Sequence, residues 1–206
     1  MVNPIVEWSK LIHQLFQRAE PYLNARGDKR HAEISHKYSL YLMKHEGGNQ
    51  KIIEPAVILH DVGWSCLKPQ ELTVAYGVRV AGKEADRLNR IHEVKGAAIA
   101  QNILAAMGFD SSLIDKITAI IKRHDSGINA YSLEEKVARD ADKLWRFSKI
   151  GYWTEKKRQG LATKELYDHL AEHYRSWFFT RTALMLSHAA LKERLKEIET
   201  LNDEKV

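Results

Sequence analysis

The chain contains a single cysteine, Cys66, so no intramolecular disulfide can form and a reducing compartment suits it. Prolines number only four, and no stretch combines strict apolar–polar alternation with β-branched residues and flanking turns. That leaves little room for strands. No apolar run reaches the roughly 18 residues of a membrane span, and the opening MVNPIVEWSK lacks a signal-peptide core. Internal repeats and low-complexity tracts are also missing. These absences lead us to expect a cytoplasmic, all-α globular protein with no membrane association.

What is present is ordinary in bulk: 44% hydrophobic and 29% charged residues over 206 positions. The net charge of +5 favours anionic small molecules and does not call for specific nucleic-acid binding. Ten histidines stand out, because imidazole is the side chain most used for metals and for proton transfer near neutral pH.

Helix punctuation is legible in places. Pro55 suits a first helical turn leading into AVILHD, and Gly108 follows GAAIAQNILAAM as a stop. Asp110 to Ser112 can cap the next helix, and Ser132 with Glu135 has capping-box spacing before KVARDADKLWRF. Gly160 and Thr163 separate that helix from a long C-terminal one, or a pair. Leu191, Leu195 and Ile198 form an apolar stripe there, for core packing or a homodimer. Residues 65–91 are less periodic and read as a long connection with a short helix, a natural place for a lid. This segment carries Arg79, Lys83 and Arg87, which are either solvated or poised to steer a phosphate.

The ionisable residues sit in unexpected places. AVILHDVGW is almost wholly apolar yet ends in His60-Asp61, either at a surface helix end marked by Gly63 or at an internal site that compensates the charge. In SLIDKITAIIKRHD the stripe Leu113, Ile114, Ile117, Ile120 and Ile121 continues onto His124. His36 shares a face with Leu40 and Met43. His92 opens the helix HEVKGAAIAQNILAAM, where the dipole disfavours its protonated form. Asp140 and Asp142 lie in one helix, and periodicity does not settle which points inward. Singly, each of these is an ordinary core or surface residue. One shared divalent-metal site would explain all the placements together, since imidazole and carboxylate are its usual donors.

His36, then His60-Asp61 within AVILHDVG, then DADKL, occur in an order that resembles the HD-domain superfamily of metal-dependent phosphohydrolases. The resemblance covers roughly residues 28–150. It implies a single HD-domain helical bundle, with residues 1–27 as a helix packed on it and 151–206 as a helical extension. It assigns His36, His60, Asp61 and Asp142 as metal ligands, Asp142 being chosen because it directly precedes Lys143-Leu144. Members with two metals add two histidines, matched here by His92 and His124, and Asp61 then bridges the ions. With one ion, these two histidines would contact substrate instead. His31 is close enough to His36 to line the pocket. His169 and His173 have metal-clamping spacing but no evident third donor.

The reaction implied is hydrolysis of a phosphoester or phosphoanhydride bond in a small, nucleotide-like substrate, by water that the metal makes acidic. Asp61 holds the metal and orients or deprotonates that water. Lys95, Arg79, Lys83 and Arg87 are the candidate substrate-binding cations. The ion or ions are divalent, with Mn, Fe, Co, Ni, Mg and Zn not distinguished. A di-iron oxygenase and a non-catalytic metal- or nucleotide-sensing module are the competing readings.

Overall fold

The structure is a computed structural model and describes residues 4–24 and 27–203. Ten α-helices account for most of this, and no strand occurs among the described residues. They are α1 (Pro4–Leu23), α2 (Lys29–Glu46), α3 (Gln50–Leu59), α4 (Pro69–Ala75), α5 (Lys83–Ala106), α6 (Ser111–Ile121), α7 (Leu133–Phe147), α8 (Lys149–Gln159), α9 (Thr163–Trp177) and α10 (Arg181–Asp203). A 3-10 turn, Val62–Cys66, follows α3. The all-α expectation holds.

The centre of the bundle is α3. Every residue from Ile52 to Leu59 is buried, as expected for a helix apolar on all sides, and α1, α2, α6 and α7 surround it. It starts earlier than Pro55 suggests, at Asn49, whose side chain accepts from the Lys51 amide at 2.9 Å. Pro55 is tolerated inside because the carbonyl it leaves unbonded is that of Lys51, an exposed residue that water can reach. The one buried carboxylate of α3, Glu54, accepts from Trp8 Nε1 of α1 at 2.8 Å and from His36 Nε2 of α2 at 2.6 Å.

α2 lies along α7 on a face made of His31, Ala32, Ser35, Ser39 and Leu42. Both serines are fully buried, and their small size lets the two helices approach closely. Leu40, which shares a face with His36, is 45% exposed.

The caps at Asp110 and Ser132 form as expected, with Ser132 Oγ accepting from the Glu135 amide at 3.1 Å. The Glu135 carboxylate bonds the Tyr131 amide instead of closing the box on Ser132. A break not foreseen falls at Ser148, which ends α7 and caps α8 through the Gly151 amide. The C-terminal helices form a second apolar cluster over α7 and α8. Leu191 and Ile198 are buried in it, while Leu195 is partly exposed. None of the helices, among the described residues, is long and apolar enough to cross a membrane.

Candidate metal centre

The apolar post α3 ends at His60 and Asp61, buried to 3% and 4% exposure. Gly63 then lets the 3-10 turn press onto α5. A Cβ on Gly63 would stand 1.9 Å from the His92 carbonyl oxygen and 2.6 Å from the Gly96 nitrogen, so only glycine fits. This contact brings His92 to the His-Asp pair. Gly63 therefore serves a close backbone approach and not a surface helix end.

Six side chains converge there: His31 of α2, His60 and Asp61 after α3, His92 of α5, His124 after α6 and Asp142 of α7. All six are buried. The two oxygens of Asp61 divide the group. Oδ2 is 3.1 Å from His31 Nδ1 and 3.5 Å from His60 Nε2; Oδ1 is 3.5 Å from His92 Nε2 and 3.6 Å from His124 Nε2. Asp142 Oδ1 joins the first half, 2.8 Å from His31 Nε2 and 3.3 Å from His60 Nε2.

The ring orientations fit a metal. His60, His92 and His124 each direct Nδ1 at the carbonyl oxygen three residues back, that of Val57, Asn89 or Ile121, at 2.7, 3.1 and 2.8 Å. An Nδ1–H donated to that carbonyl leaves the Nε2 lone pair facing the cluster. All three Nε2 atoms are buried without a hydrogen-bond partner, a costly arrangement that coordination resolves.

Burial opposes a charge on His60, but with no cation between them the Asp61 and Asp142 carboxylates outweigh it and lift the imidazole pKa to about 10, so the ring holds a proton that a bound metal would displace from Nε2. Asp142 shows the converse: burial raises its pKa, and His60 and His31 overcome that and hold it well below the carboxylate range. His92 is pushed down by burial and stays neutral. It is the tenth residue of α5, not the first, so the helix dipole has no part in this.

Two tryptophans fix the cluster. Trp64 donates Nε1 to Asp61 Oδ1 at 2.8 Å while its ring stacks on His92 at 3.8 Å. Trp145 stacks on His31 at 5.2 Å and donates to Glu155 at 3.0 Å. Glu155 also accepts from Tyr76 and Gln159.

His36 is not in the cluster. It lies five residues from His31, about 140° around the helix, so the two cannot face the same site. His36 instead bonds Glu54, and His31 takes the position expected of it. Asp142 reaches the site and Asp140 does not. Asp140 accepts from the Phe179 and Thr180 amides and from Thr180 Oγ1, pinning the α9–α10 turn, and burial raises its pKa to about 6.

A cavity of about 250 Å³ adjoins the cluster, with Tyr76, Asp125, Lys143, Arg146, His169 and Trp177 in its wall. None of the four cations expected at a substrate lines it. Arg79 forms a two-pronged pair with Glu165, Arg87 pairs with Glu84, and Lys83 and Lys95 are exposed. The cations that do line the cavity, Lys143 and Arg146, follow Asp142 on α7 at positions +1 and +4, a spacing that carried the signal. His169 and His173 stack on each other at 4.4 Å and join no metal-binding group among the described residues.

No protein-family model matches the chain, and no curated protein matches it. Solved structures do. One, described as a predicted HD superfamily hydrolase from an uncultured Thermotogales bacterium, aligns at a TM-score of 0.63 with 16% identity, over 94% of this chain and 92% of its own. Bacillus subtilis YpgQ aligns at 0.66 with 20% identity, over 95% of each chain, and its selenomethionine form at 0.66 with 18% identity, over 95% and 94%. The chain therefore has the fold of the HD superfamily.

Proposed function

We propose that the protein hydrolyses a phosphoester or phosphoanhydride bond in a small, nucleotide-like substrate, using divalent metal held by the buried cluster. The observation that carries this is the set of three orphaned Nε2 atoms converging on the divided Asp61 carboxylate. His31, His60, Asp61 and Asp142 would hold one ion, and His92 and His124 a second that shares Asp61. Metal bound there supplies a Lewis acid that neutralises phosphate oxygens and makes a water acidic enough to attack phosphorus.

The chain's own groups do the rest. Asp61, held by the Trp64 indole, is placed to orient or deprotonate that water. Lys143 and Arg146 bring positive charge to the wall beside the cluster, where a substrate phosphate would sit. Tyr76 and Trp177 line the same cavity, and a wall with aromatic residues suits a substrate with a planar ring.

The test is phosphate or pyrophosphate release from a panel of phosphorylated nucleotides and metabolites, with Mn, Co, Ni, Mg or Fe supplied. Release stimulated by Mg or Mn supports the hydrolase. The six-donor cluster also suits a di-iron oxygenase. Two bound irons with oxygen consumption and no phosphate release would select that reading instead. Tight nucleotide binding without product under any of these metals would mark a sensing module.

A further inference from the structure

Asp125 belongs to the second His-Asp pair in the chain, His124-Asp125, in the turn after α6 as His60-Asp61 follows α3. In both pairs the imidazole Nδ1 bonds the carbonyl three residues back. One Asp125 carboxylate oxygen is 3.6 Å from His124 Nε2, and one donor atom each from His92, His124 and Asp125 lie within 4.8 Å of one another. The Nε2 atoms of His92 and His124, at 0% and 2% residue exposure, have no hydrogen-bond partner. No lysine or arginine among the described residues comes within salt-bridge distance of Asp125; Lys143 and Arg146 share its cavity and act on it only from farther away.

The turn is held rigidly by the element that also carries His92. Glu93, fully buried, accepts from the Asp125 amide at 3.0 Å, the Ser126 amide at 2.9 Å and Ser126 Oγ at 2.6 Å. Adjacent residues of α5 thus supply one imidazole and fix the backbone of the other imidazole and its neighbouring carboxylate.

We propose that Asp125 is a ligand of a second cation, completing with His92, His124 and the shared Asp61 a position for a borderline divalent ion such as Mn²⁺, Fe²⁺, Co²⁺ or Zn²⁺. This rests on the metal reading above and adds a donor to it. Each half of the cluster then has two imidazoles, one carboxylate of its own and an oxygen of Asp61, and the first half also has Asp28 beside His31 and Asp61. Without Asp125 the second half has three protein donors; with it, four, matching His31, His60, Asp61 and Asp142 in the first half. The mixture of imidazole and carboxylate favours these ions over Mg²⁺, which prefers oxygen.

The experiment is titration of metal-stripped full-length protein with Mn²⁺ or Co²⁺, read by calorimetry and elemental analysis, with circular dichroism to verify folding. The unaltered chain is expected to take up two ions. Asp125→Asn keeps the first and binds the second about 100-fold more weakly, the scale set by loss of support at a metal site. Asp125→His restores a donor and regains most of that affinity, which a purely structural role for Asp125 would not allow. Two ions bound equally tightly in Asp125→Asn overturn the proposal. A single ion in the unaltered chain, with phosphate release intact, overturns it and leaves the hydrolase reading standing. No bound ion at all overturns both.

Discussion

Gly63 and Gly96 meet backbone to backbone, and the contact is asymmetric: a Cβ on Gly63 would strike the His92 carbonyl at 1.9 Å, whereas one on Gly96 would stop 3.2 Å from the Gly63 nitrogen. Gly63→Ala must push α5 away from the 3-10 turn and is expected to cost about 3 kcal/mol, or to prevent folding. Gly96→Ala needs only a small shift, and alanine's better helix propensity offsets part of it, so its cost should stay within about 1 kcal/mol. Urea denaturation of the two variants measures the difference. Equal stabilities would contradict the packing described.

His31 and His36 should behave oppositely. His31→Asn removes a donor from the cluster and is expected to lower metal content sharply. His36→Asn removes one hydrogen bond to Glu54, which keeps that from Trp8, so the cost is about 1–2 kcal/mol of stability with metal retained. Elemental analysis and denaturation of the pair check this, and loss of metal in His36→Asn alone would reverse the assignment.

The error over His36 has a physical origin. The resemblance named His36, and periodicity gave no reason to choose His31 instead, because the buried face of α2 contains two serines, Ser35 and Ser39, while Leu40 on the His36 side is 45% exposed. Where the buried stripe is mostly apolar, as in α6, it carried His124 to a buried end, whereas His60-Asp61 after α3 stayed open between a surface end and an internal site. His92 reached the site by a contact between glycines, which leaves no apolar signature. The cavity cations were missed for another reason. Charges in the 65–91 segment looked free in one dimension, but Arg79 finds Glu165, 86 residues away.

Trp64 tests whether the cluster depends on outer support. Trp64→Phe keeps a ring to stack on His92 but deletes the N–H that holds Asp61 Oδ1. Metal affinity or turnover should fall 10- to 100-fold, on the order expected for loss of an outer hydrogen bond, with the fold intact. Unchanged affinity and turnover would show that the indole only fills space.

Glu155 gives the stability its pH dependence near the acid end. Burial works to raise its pKa, but Arg158 and Arg146, with the Tyr76 and Trp145 hydrogen bonds, bring it from an ordinary 4.5 to about 2. A depressed folded pKa means the stabilisation is complete above the unfolded value and is lost as pH falls through the folded one. Between about pH 5 and pH 2 the advantage of the unaltered chain over Glu155→Gln should therefore shrink by about 3 kcal/mol. Denaturation of both proteins across that window reads it; a constant gap would contradict the assigned network.

The central claim is that Asp61 binds metal and that this metal drives hydrolysis. Its most direct test is Asp61→Ala, assayed in parallel for bound metal by elemental analysis and for phosphate release on whichever substrate the unaltered protein turns over. Bound metal and turnover are expected to be lost together while the helical fold persists. Full metal content with full turnover in Asp61→Ala would contradict it.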